Sequence, residues 1–200
     1  MSKLAHLKFN DPAPDVILRT VDDQVLALSA LWAQHTLLLS FTRHFGCPQC
    51  KEMLDELVQF QPELSENGLQ IVVVTHATPA ETKAFCTQHA PHTLCLADLE
   101  RKAYHLYGLG RGTLRQTLLS PRIWLSNRRL AKLKGFQPEV PPPGQDALQM
   151  SGMFIIGTDG RIRMPYYYDD IADHPPVELL VKGVMGMDWQ KPFDAPITGE

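Results

Sequence analysis

Cys47 and Cys50 stand three residues apart in the stretch FTRHFGCPQCKEML, Phe41 to Leu54, and are the side chains of this sequence best suited to chemistry. They follow an apolar run, LLLSF, and precede a helical pattern, so the pair lies where a strand gives way to a helix. The first turn of a helix carries unpaired N–H groups and the positive end of the helix dipole, and both stabilise an anion. A cysteine placed there ionises more readily, its pKa falling from about 8.5 toward roughly 3.5–7.5. Pro48 suits the first helical position and makes Cys47 the N-cap. Cys50, one turn in, shares a stripe with Leu54, Leu57 and Leu64. This arrangement predicts an outward, acidic Cys47 and a more buried Cys50, close enough to form a disulfide. His44 is a candidate for lowering a thiol pKa, set against the blander reading of an exposed loop histidine.

Two other readings compete for the pair. One is that both cysteines are small apolar side chains at a strand-to-helix junction. The other is zinc: Cys86, His89, His92 and Cys95 would complete a ligand set with Cys47 and Cys50. Against zinc, Cys86 and His89 fall in a predicted regular helix, whereas ligands usually sit on turns. Cys86 and Cys95 read best as core residues, with a resolving role as the alternative.

The elements that must position these residues follow from the hydrophobic pattern. Val16 to Leu31 alternates around Asp22-Asp23 as a short hairpin leading to a turn near Leu31-Trp32. TLLLSFT and IVVVTHA are near-continuous apolar runs of the kind buried on both faces of a sheet. The helix after Cys50 should restart at Pro62 and end at Gly68. Thr78, Pro79 and Glu81 form a helix start with a capping box. A short strand is predicted over Thr93–Ala97 and a helix over Leu99–Leu109. MFIIG, a turn at Thr158–Gly160 and RIRMPYYY then form a hairpin. Asp173, as a cap, with Pro175-Pro176 opens a last helix reaching about Val184, and His174 belongs to that start. The order predicts an α/β sandwich with a largely parallel centre, a single domain over residues 1–200.

Composition sets the outer bounds. The 200 residues, 44% hydrophobic and 20% charged with a net charge of −3, suit an ordinary globular protein and carry no global nucleic-acid signal. No signal peptide is apparent, and no apolar run approaches the ~18–20 residues of a bilayer span. A cytoplasmic location is the expectation, and there a CxxC is more often catalytic or metal-binding than a staple. The segment of about 111–149 reads as an insertion. From Arg111 to Lys134 it holds seven Lys/Arg and no Asp or Glu, and it closes in a stiff Pro-rich loop, PEVPPPGQD. It reads as an amphipathic lid shaping access to the thiols, with a rim for acidic partners or a peripheral membrane contact as alternatives.

Five stretches in order carry a resemblance: DPAPDVILRTVDDQVLALSALW, FTRHFGCPQCKEML, LADLERKAYHLYGLGRG, GQDALQMSGMFIIGTDGRI with the basic insertion before it, and DHPPVELL. Together they resemble the AhpC/TSA-type peroxiredoxin-like proteins of the thioredoxin-fold superfamily, nearest the peroxiredoxin-like 2 (selenoprotein U / prostamide-prostaglandin F synthase) branch. The resemblance implies a thioredoxin-like three-layer α/β sandwich. Laid on the family's PxxxTxxC pattern, Cys50 takes the peroxidatic position and Cys47 that of the threonine. Arg43 stands where the proline would be, and Ser151 replaces an arginine before the later FII strand. Two groups that activate peroxide in that family are therefore missing, and Arg43 is a candidate to supply the positive charge. The overlay ranks Cys50 as the attacking thiol, whereas the helix-start argument ranks Cys47.

The expected function is a thiol-dependent oxidoreductase whose Cys47/Cys50 pair reduces a peroxide, endoperoxide or disulfide, with Arg43, His44 and Ser151 as support. Thioredoxin or glutathione is the expected reductant. Neither a metal nor a flavin or nucleotide cofactor is implied, since GLGRG follows a helix and does not open one. The alternatives are a non-catalytic redox-responsive binding module on the same fold and a structural zinc site.

Overall fold

The computed structural model describes residues 4–183 and 188–191. Strand β1 (Ile17–Thr20) and strand β2 (Val25–Ala27) form a hairpin, followed by helix α1 (Leu28–Trp32). Strand β3 (Thr36–Phe41), helices α2 (Pro48–Gln59) and α3 (Gln61–Glu66), strand β4 (Leu69–Thr75), helix α4 (Pro79–His89) and strand β5 (Leu94–Ala97) come next. Helix α5 (Lys102–Leu106), a π-helical turn (Arg115–Leu119), helix α6 (Pro121–Leu133), strands β6 (Gly152–Ile156) and β7 (Ile162–Tyr167) and helix α7 (Val177–Lys182) complete the order. The strands make one sheet in the order β2-β1-β5-β4-β3-β6-β7. Its centre is parallel, Leu38 facing Ile71 and Val73 facing Cys95, and its flanks are antiparallel.

All six residues of β3 are buried, which is why TLLLSF shows no polar alternation. The pleat sends its side chains to two cores. Leu37, Leu39 and Phe41 pack with Val72, Val74 and Phe154 against Leu28 and Trp32 of α1 and Tyr104 of α5. Leu38 packs with Ile71, Val73 and Ile155 against α2, α3, α4 and α7 on the other face. Helices cover both faces of the sheet, so the three-layer sandwich implied by the sequence is the architecture observed.

Local signals landed where the chemistry of helix ends requires. Cys47 is the N-cap of α2 with Pro48 in its first turn, and Pro62 opens α3. Thr78 and Glu81 make a complete capping box. Three expectations need correction. The turn near Leu31-Trp32 is helical, because Leu28 and Trp32 sit one turn apart on the face that meets the core. The helix expected over Leu99–Leu109 spans Lys102–Leu106 only. Arg101 adopts a left-handed φ of 57°, and the Asp98 carboxylate accepts the N–H groups of Lys102 and Ala103 at 2.9 and 2.7 Å, so the helix cannot start earlier. Asp173 is not the cap of α7, whose N-cap is Pro176; its carboxylate is taken by Arg122, Tyr166 and the Asp169 N–H. The expected end of that helix, Val184, lies outside the described residues.

The segment from Arg111 to Gln149 leaves and rejoins the fold at one place, where those two residues pair antiparallel. Helix α6 buries Ile123 and Leu130 and lies along α2. No helix among the described residues is long and apolar enough to cross a membrane.

Candidate active site

The end of β3 delivers Arg43 beneath the two thiols. Tyr104, fully buried, donates its hydroxyl to the carbonyls of Thr42 and Val74 at 2.8 and 2.9 Å, which pins the backbone just ahead of Arg43. The Arg43 N–H donates to Cys50 Sγ at 3.3 Å, and its Nη1 donates to Cys47 Sγ at 3.4 Å. The rest of the guanidinium is anchored from the far side of the insertion: Nε donates to the Gln149 carbonyl at 2.9 Å and Nη2 to that of Ala147. Arg43 is buried and has no carboxylate partner among the described residues, so Cys47 is the group beside it that can carry the balancing charge.

The two thiols are held in unequal states. Burial by itself pushes the Cys47 thiol up; the hydrogen bond from Cys50, the Arg43 charge and the hydrogen bonds from the Cys50 backbone and from Arg43 outweigh it and bring the thiol from 9.0 down to about 6. Cys50 moves the other way, raised by its hydrogen bond to Cys47, by burial and by the negative charge on Cys47. Cys47 is thus the more acidic thiol of the pair and Cys50 the less acidic one.

The outward Cys47 expected from the helix start is corrected: Cys47 is 1% exposed and Cys50 8%. The insertion closes over it. The Glu139 N–H donates to the Gly46 carbonyl at 3.0 Å, and Gln145 Oε1 accepts the Phe45 N–H at 2.8 Å. The polar face of α2 is bound by the same segment: Gln49 to Asn127 at 2.6 Å, Lys51 to Glu139 at 2.7 Å, Glu52 to Arg129 at 2.6 Å, and Asp55 to Lys134.

His44 is also corrected. It is buried, not exposed, and its pKa is pushed down to about 4, first by burial and then by the charges of Arg43, His76 and Lys51. A neutral imidazole adds no positive charge, so the cation beside the thiols is Arg43. Ser151 is 3% exposed and its Oγ has no hydrogen-bond partner among the described residues. With Cys50, Thr42, Gln49 and Tyr168 it lines a cavity of about 10 Å³, room for one water-sized group. Ser151 and Tyr168 also line a surface groove of about 1570 Å³ that runs past Arg101, Arg111 and Met150.

Cys86 and Cys95 occupy the core as expected, but joined to each other in a disulfide between α4 and β5. That bond withdraws both thiols from the zinc alternative and leaves neither free to resolve the Cys47–Cys50 pair. The group of three potential metal ligands found among the described residues is elsewhere, Glu52, Glu56 and His174. Glu52 is already paired with Arg129, so this cluster reads as an ion-pair network.

Sequence reasoning missed Gln149, Glu139, Gln145, Gln49 and Asn127. Gln149 is the most telling: its carbonyl anchors Arg43, while its buried side-chain amide donates to the carbonyls of Leu109, Gly110 and Met150. Its place just before the FII strand was visible, but a lone glutamine in a loop announces no partner.

Comparison with known proteins follows the same lines. The AhpC/TSA family matches the chain over residues 9–164. Prostamide/prostaglandin F synthase from Salmo salar is 26% identical over 179 residues, covering 86% of each chain. Peroxiredoxin-like 2C from Homo sapiens is 25% identical over 165 residues, covering 80% of this chain and 73% of that one. Among solved structures, peroxidoxin BcpB from Mycobacterium tuberculosis superposes with a TM-score of 0.64 at 16% identity, over 88% of this chain and 95% of that one. A peroxiredoxin-like protein from Aquifex aeolicus gives 0.63 at 16% identity, over 89% and 86%.

Proposed function

The chain belongs to the AhpC/TSA family, and from that premise we propose that it is a dithiol oxidoreductase in which Cys47 attacks and Cys50 resolves. The observation that carries the reading is the Arg43 guanidinium on Cys47 Sγ at the N-cap of α2. It favours the helix-start assignment of the nucleophile over the family overlay, which ranks Cys50 first.

The substrate supplies an O–O or S–S bond: a hydroperoxide, an endoperoxide or a disulfide. With a hydroperoxide, the Cys47 thiolate takes the terminal oxygen, the O–O bond breaks, and the alkoxide leaves with a proton as the alcohol. Cys50 then attacks the Cys47 sulfenic sulfur, releasing water and forming the 47–50 disulfide. With a disulfide, Cys47 forms a mixed disulfide and releases one thiol, and Cys50 displaces the second. A thioredoxin- or glutathione-type thiol returns two electrons and resets the pair. Ser151, its hydroxyl uncommitted, lines the small cavity together with Cys50, which supports a role at the resolving thiol.

The test is mass spectrometry with thiol counting across a redox-buffer series on the wild type, Cys47→Ser and Cys50→Ser. The reading requires reversible loss of two thiols and two hydrogens from the wild type, abolished by either substitution. It also requires a persistent mixed disulfide on Cys47 when Cys50 is absent. Thiols that stay reduced under oxidising buffer sink it.

A second reading, the redox-responsive binding module, is favoured by one contact. The guanidinium that holds Cys47 also holds the Ala147 and Gln149 carbonyls. Oxidation removes the thiolate charge from that bridge and so loosens the covering segment. Consumption of many substrate equivalents per protein with a reductant favours the enzyme; a single stoichiometric oxidation favours the module.

A further inference from the structure

The outward side of α6 combines features that a merely solvated helix face does not need. Trp124 and Leu125 are 67% and 70% exposed, and the preceding turn adds Leu118 and Leu119 at 58% and 64%. These side chains are held together: Trp124 Nε1 donates to the Leu118 carbonyl at 2.7 Å, tying the turn to the helix. That bond also satisfies the indole N–H, so the ring can leave water without orphaning its donor. At 100° per residue, Trp124, Arg128, Lys132 and Leu125 share one outward face, opposite the buried Ile123 and Leu130.

The charges on this face are the second observation. Arg111, Arg122, Arg129 and Lys134 of the basic segment are spent on carboxylates of the fold. Arg115, Arg128 and Lys132 are exposed and have no partner among the described residues, and residues 111–134 contain no Asp or Glu. A second copy of the chain docked face to face would set these cations against one another, since a two-fold interface opposes each patch with itself. Apolar anchors interleaved with unpaired cations fit a surface that is anionic and apolar a few ångströms down.

We infer that the outward face of α6 and the π turn before it dock peripherally on an anionic phospholipid surface. Trp124, Leu125, Leu118 and Leu119 enter the interfacial layer, and Arg115, Arg128 and Lys132 meet the headgroup charges. The binding is reversible, since only a short stretch is inserted.

The test uses the full chain with vesicles of phosphatidylcholine alone, or with phosphatidylserine added at about one part in three. Trp32 and Trp189 are 8% and 4% exposed, so a change in tryptophan emission reports Trp124. The expected result is flotation with the phosphatidylserine vesicles and a blue-shifted emission. Both weaken in about 1 M salt, where the screening length falls to about 3 Å. Arg128→Gln with Lys132→Gln lowers partition about thirty-fold, about five-fold per charge. Leu125→Glu abolishes the blue shift, with the helical circular dichroism unchanged. Failure to bind either vesicle, equal binding to both, or binding undiminished in these variants overturns the inference. So does a concentration-dependent dimer that Leu125→Glu dissolves, which would give the face to a second copy.

Discussion

Arg43 Nη1 lies 3.4 Å from Cys47 Sγ while the Arg43 backbone N–H lies 3.3 Å from Cys50 Sγ. One residue therefore touches both thiols, but with a full charge on one and a peptide dipole on the other. The contact between the two thiols separates their acidities, lowering Cys47 and raising Cys50, and the Arg43 charge adds to the lowering of Cys47, in a place where burial alone would raise both.

The first prediction concerns pH. Cys47 alkylation by iodoacetamide should rise with an inflection near pH 6, and Cys50 should stay unreactive through neutrality. Arg43→Met should move the Cys47 inflection up by at least about one unit, and Arg43→Lys by less. The linked stability has a definite sign. The folded pKa lies below the unfolded one, so the contribution is fully present above about pH 9 and is lost as pH falls through about 6. Melting of reduced wild type against Cys47→Ser across that window reads it. An unmoved inflection in Arg43→Met removes Arg43 from this role.

Access to Cys47 should be governed by the Glu139 loop. A Cβ at Gly46 would collide with the Glu139 carbonyl, a backbone atom that has to shift as a unit. Gly46→Ala should therefore lift the loop and speed Cys47 alkylation several-fold at pH 8, with the inflection of the pH profile unchanged. An unaltered rate there would mean that another element limits access.

The Cys86–Cys95 bond closes a short loop, its cysteines nine residues apart. By chain entropy its loss should cost about 2.5–3 kcal/mol. Cys86→Ser/Cys95→Ser, unfolded in urea, gives the figure against wild type. Because the bond lies apart from the Cys47 pair, the variant should keep two-thiol oxidation. Loss of that oxidation at full stability would instead place this disulfide in the redox cycle.

Glu52 is 1% exposed at its side chain and is held by Arg129 at 2.6 Å and His174 at 3.6 Å. Arg129→Met strands the carboxylate and should cost about 2 kcal/mol, less than a fully buried pair because Arg129 is half exposed. Glu52→Gln in the same background should recover most of it. The His174 pKa is raised despite burial, by its close contact with the Glu52 carboxylate and by the Glu56 and Glu52 charges. Its contribution is accordingly full below about pH 6.5 and fades as pH climbs through the raised value. A denaturant series over pH 5–9, with His174→Gln as control, checks both.

What the sequence by itself determined was local. The N-cap at Cys47, the restart at Pro62, the capping box at Thr78 and the doubly buried β3 each depend on residues within one turn or one strand, so their types suffice to read them. Tertiary structure decided everything that hangs on a partner far along the chain. Cys47 is covered because Gln145 reaches Phe45 from 100 residues away and Glu139 meets Gly46, and no composition of PEVPPPGQD says where that loop will land. Cys95 finds Cys86 only because β5 pairs with β4 and slides beneath α4. A side chain's burial and acidity belong to all that surrounds it: the residue type offers a thiol, and the packing of distant segments sets whether it is charged and what can reach it.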